Sequence, residues 1–561
     1  MHGRRKRFGL ALLGAVGIAT LVVSGGVADP TVGFTNVPSA NHKSAGIDPA
    51  NLLSPELQEV AWASGSIPVE NHPAGCDGVK AYGYDVDNNA PFVPTVAATG
   101  VGGSLVLNNP THPEAQKTEP DKNTYLVLNG QTGADGNYNY GTHFLYQGHE
   151  AGSPGYISRI NLDADGQHRV TLIACQDADS KALPTFDGST WDPWANRLLF
   201  TSEAGPNASG DSQGGVWQST LGGQVVNLQR YLGRGGFEGI QNDDEGNLYI
   251  VEDVGGSSFS GTTSRKPNSF VYRFVPKDAA ELTNGGTIQV LQILDKNGNP
   301  ITQSVADSTQ NPQPYIDLHT YGTVLNTKWI DIASTSSATA APGPDDAKLA
   351  KSAGGTPLKR PENGLFQPGS HFTEFYFDET GDTNATTGAA QTGGFGSIFR
   401  LTQSPTGNAG KIRLFYLGDA DHAGFDNNAF FGGTQVAFVE DRGDTLHGQT
   451  AFDSAWLFDT TVDYGNASNH PIRFIAEGRD ASATLDSSIS GVYGSLFSPS
   501  KSFYNDGDNE ITGIHVSNGD PSKNGILGEK LPTPFRGDGQ WRAFWTQQHG
   551  DNVTYELISA G

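Results

Sequence analysis

Leu248-Tyr249-Ile250-Val251 runs into Glu252-Asp253, and a loop rich in Gly and Ser leads on to Phe270-Val271-Tyr272-Arg273-Phe274. Short runs of β-branched and aromatic residues, bounded by turn residues, mark strands. The unit is a strand ending in acid, a loop, and a strand carrying aromatic or aliphatic pairs. It recurs along the chain. Phe144-Leu145-Tyr146 passes through His149-Glu150 to Tyr156-Ile157-Ser158-Arg159-Ile160. Leu198-Leu199-Phe200 passes through Ser202-Glu203 to Gly215-Val216-Trp217. Phe375-Tyr376-Phe377 passes through Asp378-Glu379 to Ser397-Ile398-Phe399-Arg400-Leu401. Val436-Ala437-Phe438-Val439 passes through Glu440-Asp441 to Ala455-Trp456-Leu457-Phe458. A sixth unit is expected near the C-terminus. Helical periodicity is scarce, and its best short candidate is Pro55-Glu56-Leu57-Gln58-Glu59-Val60-Ala61-Trp62.

Loosely spaced repeats of this kind predict an all-β fold, a β-propeller of six blades. The inner strands of a propeller converge on a central channel. Acids at the same end of each blade then meet around one axis. Crowded carboxylates repel one another unless cations neutralise them, so the pattern predicts a site for several cations. Any single acid reads more simply as a turn cap on a solvated rim. Repetition at one blade position favours the site. The propeller is expected over residues 121–561, with an N-terminal extension, 29–120, packed on it. Long loops interrupt the pattern, chiefly around 301–358, where Ser334-Thr335-Ser336-Ser337-Ala338 opens a stretch that reads as a loop or lid.

Charge narrows the function. The 561 residues hold 60 acidic and 35 basic side chains, a net charge of −25. Such a field repels polyanions and excludes a basic nucleic-acid surface; it attracts divalent cations. The 73 glycines follow no three-residue period, which excludes collagen. Two cysteines exclude a disulfide mini-scaffold and a Cys-rich zinc or iron–sulfur site.

Residues 1–28 read as a signal peptide: Arg4, Arg5, Lys6 and Arg7, an apolar run over 9–24, and a small-residue cleavage site ending at Ala28. A membrane anchor is the competing reading of that run, which is near the minimum spanning length. The pair Arg4-Arg5 points to the twin-arginine route, although Phe8 lies one place too far from it. No later stretch is long and apolar enough to span a bilayer. The mature chain is expected to be exported, periplasmic or extracellular, and monomeric. Cys76 and Cys175 could pair in such a compartment, and the sequence leaves that open.

In patches from about residue 140 onward, the chain resembles the PhoX-type secreted alkaline phosphatases. Gly148-His149-Glu150 is similar to that family's Asn-His-Glu segment. Gly233-Arg234-Gly235-Gly236-Phe237-Glu238-Gly239, followed by Leu248 to Asp253, is similar to its block with Gly-Arg, His-Glu and Glu-Asp; Phe237 stands in place of the His. Arg360-Pro361-Glu362-Asn363-Gly364 and Asp426-Asn427 with Ala429-Phe430 are similar to two further blocks. The resemblance implies a six-bladed propeller with iron and calcium in its channel and a small phosphorylated substrate. Carried over residue by residue, it implies metal ligands at Glu150, Glu203, Glu238, Glu362 and Asp426. Arg360 would grip phosphate, Asn427 would either support a metal ligand or contact phosphate, and Arg479 is a weaker candidate read as a surface ion pair. His149 is expected to be packed rather than ligating. One departure matters. Thr201-Ser202-Glu203-Ala204 stands where the family has Thr-Cys-Glu-Glu. Ser202 is a poor bridge between ferric ions, so iron is in doubt and an all-oxygen calcium site is favoured.

The chemistry follows independently. Phosphate monoesters resist hydrolysis because an anionic nucleophile must approach an anionic ester; clustered cations lessen that repulsion and activate water. Two readings compete with a phosphoesterase: a calcium-dependent lactonase or phytase-like hydrolase, and a calcium-stabilised propeller without catalysis. A serine hydrolase is set aside for want of a nucleophile elbow. Asp163-Ala164-Asp165-Gly166 and Asn505-Asp506-Gly507-Asp508 resemble fragments of calcium loops and read more simply as turns.

Overall fold

The computed structural model describes residues 32–37, 50–71, 73–84, 86–87, 90–91, 118–152, 154–384, 386–441, 452–478, 510–526, 528–548 and 552–561. The signal segment and Arg479 lie outside the described residues, as does most of the Asn505 loop.

The fold is all-β and propeller-like. Four antiparallel strands in chain order, Pro120–Val127, His143–His149, Ile157–Asn161 and Val170–Ala174, make the first sheet. Ser189–Asp192, Arg197–Ser202, Gly215–Ser219 and Val225–Asn227 make the second. A nine-stranded sheet opens with Phe237–Asn242 at one edge and ends with Gly364–Phe366 at the other. Phe425–Phe430 and Glu510–Ser517 each lead one further sheet.

The six leading strands form a closed ring. Pro120–Val127 neighbours Ser189–Asp192, and contacts continue through Phe237–Asn242, Gly364–Phe366, Phe425–Phe430 and Glu510–Ser517 back to the first strand. The core sits between neighbouring sheets rather than at the centre. Phe144 and Tyr146 pack on Phe186 and Trp217. Tyr376 and Ile398 pack on Phe425 and Phe438. Ala429 and Val439 pack on Ile511 and Trp545. Each such aromatic contributes roughly 2–3 kcal/mol by burial. The alternation seen in the sequence thus feeds two faces of every sheet, and the ring axis is left to polar side chains.

Three expectations need correction. The stretch 55–62 is no helix: Leu57–Ala63 is a strand, antiparallel to Val553–Ser559. Pairing with the chain's last strand overrides a weak helical pattern. The N-terminal extension therefore supplies outer strands to two sheets, since Leu52–Leu53 pairs with Ile472–Ala476. The insertion is also more than a loop. Its strand Leu325–Ser334 pairs with both Gly286–Ile293 and Ala409–Leu417, and so joins the two halves of the nine-stranded sheet. Cys76 and Cys175 form a disulfide with 5.8 Å between their Cα atoms, tying the extension to the first sheet.

Candidate functional site

An acid stands at or just before the start of every leading strand: Asp121, Asp187, Glu238, Glu362, Asp426 and Glu510. Two local devices aim four of them, Asp121, Asp187, Glu238 and Asp426, inward. Pairing shifts register across Pro120/Asn123, Phe237/Ile240 and Phe425/Asn428, so a bulge holds Asp121, Glu238 and Asp426. Bulges re-aim a side chain in this way next to functional sites. Glycine follows the acid at Gly188 and Gly239. A Cβ on Gly188 would lie 2.2 Å from the Glu238 carbonyl oxygen, and one on Gly239 would lie 2.9 Å from that of Glu362. Only glycine lets the leading strands approach so closely.

Three sets of carboxylates result, each with one ligand atom per residue within 4.8 Å of the others: Asp121, Asp187 and Glu238; Glu150, Asp187 and Glu203; Glu238, Glu362 and Asp426. Asp187 and Glu238 each belong to two sets, so the three are continuous. Glu150 and Glu203 come from the ends of second strands and are partly exposed; the other five are buried. That asymmetry gives the cluster one open side. All five acids expected as ligands are brought together. The sequence does not single out Asp121 and Asp187, which neither end second strands nor fall in the blocks that resemble the family. For Asp187 alone the signal is the acid-Gly pair it shares with Glu238-Gly239.

The electrostatics are those of a cation site left to itself. Burial, reinforced by neighbouring carboxylates, holds Glu150, Asp187, Glu238, Glu362 and Asp426 well above the usual carboxylate range. Burial and then Asp253 push Glu203 up to about 8, against the pull of Arg360. Asp187 Oδ1, Asp378 Oδ2 and Asp426 Oδ2 are buried without a hydrogen-bond partner. Unpaired buried oxygens are costly unless a cation or proton meets them. An all-carboxylate donor set suits hard cations, so these residues fit a metal cluster of that type.

The supporting residues fall into place around it. Asn427 donates from Nδ2 to Asp426 Oδ1 at 2.8 Å, and Thr380 Oγ1 donates to Glu362. Arg360 donates from Nε to both Asp253 oxygens at 2.9 Å, and its Nη2 lies 3.4 Å from Glu362. Its fork therefore grips Asp253. Ser202 Oγ is buried and without a partner. His149 is packed as expected: it stacks on Tyr156 and bonds Ser158 Oγ at 2.8 Å. The Asp163 loop is a turn, its carboxylate accepting from the Thr142 and His143 amides. Gly210-Asp211-Ser212-Gln213-Gly214 does carry Gly-x-Ser-x-Gly spacing. It joins two strands, and Ser212 Oγ bonds Asp345 at 3.1 Å, so it is no strand-to-helix elbow.

Residues 229–444 match the family model of alkaline phosphatase PhoX, and that stretch holds Glu238, Arg360, Glu362, Asp426 and Asn427. Residues 229–444 are PhoX-like. The PhoX likeness extends to the whole fold: the structure of Pseudomonas fluorescens PhoX in complex with vanadate, a transition-state analogue, matches with a TM-score of 0.51 at 11% identity, covering 94% of this chain and 98% of that one. Periplasmic gluconolactonase PpgL of Pseudomonas aeruginosa matches with a TM-score of 0.28 at 9% identity, over 72% of this chain and 93% of that one. No curated protein sequence matches the chain. No described helix is long and apolar enough to cross a membrane.

Proposed function

We propose that this protein is an exported, metal-dependent phosphoesterase of the PhoX type, built as a six-bladed propeller whose nine-stranded sheet is two blades joined through Leu325–Ser334. One observation carries the reading: the set Glu238, Glu362 and Asp426 lies wholly within the PhoX-family stretch and at the meeting point of the leading strands. Asp121, Glu150, Asp187 and Glu203 extend that set. The donors are all oxygen and both cysteines are in the disulfide, so calcium suits the cluster better than a sulfur-bridged iron pair.

Bound cations would neutralise phosphoryl oxygens and acidify water. The chain's own residues set the stage for this. Asn427 orients Asp426, Thr380 orients Glu362, and the partly exposed rim of Glu150, Glu203 and Arg360 is where a small phosphate ester would enter. Arg360 reaches phosphate only by sharing or leaving its grip on Asp253.

That engaged arginine, with Ser202 in place of cysteine, favours a second reading: a calcium-bound propeller without phosphatase activity, or a hydrolase of lactones or phytate. Assaying p-nitrophenyl phosphate, a lactone and phytate, before and after chelation and calcium refilling, separates these readings. Chelator-sensitive release of p-nitrophenol supports the proposal. Lactone turnover alone, or calcium binding with no turnover, overturns it, and phytate turnover alone keeps a phosphoesterase while overturning the PhoX type.

A further inference from the structure

Behind each of the six leading strands lies a second strand. Five of these end in, or run into, a carboxylate: Glu150, Glu203, Glu252, Glu379 and Glu440. The last one, Arg542–Gln548, ends in an amide. Gln548 pairs with Glu510, the first residue of its leading strand, as Glu252 pairs with Phe237 and Glu440 with Phe425. It therefore stands where the acids stand on the other blades.

That position has two uses. Glu252, Glu379 and Glu440 brace backbone, accepting from the amides of Phe270, Lys359 and Ala423 at 3.1, 2.7 and 3.1 Å. Glu150 and Glu203 enter a carboxylate set with Asp187. Gln548 goes with this second group. It is fully buried, and its Nε2 donates to Glu150 Oε2 at 2.9 Å and to the Glu119 carbonyl at 3.4 Å. Both of its N–H groups are thus engaged by acceptors. Turning the amide over would set its oxygen against that carboxylate and that carbonyl, so its orientation is fixed. Oε1 is left buried with no partner among the described residues. An amide oxygen in that state is costly unless a donor or a cation meets it.

We propose that Gln548 is a neutral ligand of the cation held by Glu150, Asp187 and Glu203: its Oε1 binds that ion while its Nε2 steadies Glu150. The inference rests on the metal-site reading above and deepens it. Calcium accepts amide oxygens beside carboxylates, and the charge of its ligand set tunes the affinity. Gln548 adds an oxygen from the last blade without adding charge to a set that already holds three carboxylates.

The test is calcium calorimetry on the chelator-stripped full chain, with Gln548→Met and Gln548→Glu beside wild type. Met keeps the length of the side chain and removes both polar atoms. Glu keeps the oxygen and removes the donor. The expected result is at least about tenfold weaker binding of one calcium in Gln548→Met, and binding at least as tight as wild type in Gln548→Glu. Unchanged binding in Gln548→Met overturns the proposal. Equal loss in both variants also overturns it, because only the hydrogen bond to Glu150 would then matter. If Gln548→Met fails to fold, Gln548→Ala takes its place with the same expectation. Wild-type protein that binds no calcium overturns the metal-site reading and this proposal with it, and is distinct from either result.

Discussion

Glu238 is a member of two carboxylate sets at once, and its backbone carbonyl also accepts from Thr201 Oγ1. Glu238→Gln keeps the shape and removes the charge. Turnover of p-nitrophenyl phosphate is expected to fall at least about 100-fold, with circular dichroism unchanged. Arg360 is a separate case. Removing it strands Asp253, whose side chain is 4% exposed. Arg360→Ala should therefore lose stability, by roughly 3–5 kcal/mol as an upper figure, as well as activity. Arg360→Lys keeps the charge, loses the two-pronged grip and should fall between. Chemical denaturation with steady-state kinetics on both variants checks the order. At this scale the repeat located Glu150 and Glu203, the family resemblance located Glu238, Glu362 and Asp426, and the repeating acids Glu252, Glu379 and Glu440 lie outside the carboxylate sets. The sequence was a poor guide to Asp121 and Asp187, because neither ends a second strand and both fall outside the blocks that resemble the family. Nor could it show that Arg360 is already engaged, since Asp253 lies over a hundred residues away.

Elements explain why the acids meet. The bulges at Asp121, Glu238 and Asp426 and the glycines at 188 and 239 are joint requirements of a narrow ring. Gly239→Ala pushes a methyl onto the Glu362 carbonyl and the Asn363 side chain. It is expected to weaken calcium binding at least about tenfold while leaving far-ultraviolet dichroism intact, as calorimetry would show. The strand-acid-loop-strand units were legible because each sheet feeds apolar residues to both neighbours. Leu57–Ala63 was misread because its partner, Val553–Ser559, lies at the opposite end of the chain, and local patterning cannot register a strand whose only support is so distant. Leu325–Ser334 was lost for a like reason, inside a stretch whose composition announces a loop.

The whole molecule carries an excess of buried acid, and this fixes its dependence on pH. Glu203 titrates near 8 in the folded chain against 4.5 ordinarily, and Glu252 does the same through burial. An acid raised in the folded state binds more protons folded than unfolded. Metal-free protein should therefore be most stable below about pH 4.5 as far as these groups decide it, and lose that stability as pH rises towards 8. Calcium should reverse the trend, because the ions favour the ionised carboxylates. Thermal melts from pH 5 to 8, with chelator and with calcium, check both slopes; parallel curves would contradict the account. The central claim is that the converging carboxylates hold metal that hydrolyses phosphate esters. Its most direct test is elemental analysis of protein purified without chelator, with p-nitrophenyl phosphate turnover measured on the same sample for wild type and Glu238→Gln. The account predicts stoichiometric calcium with turnover in wild type, and loss of both metal and turnover in the variant. Wild-type protein with stoichiometric metal and no phosphate release, or turnover in metal-free protein, would contradict it.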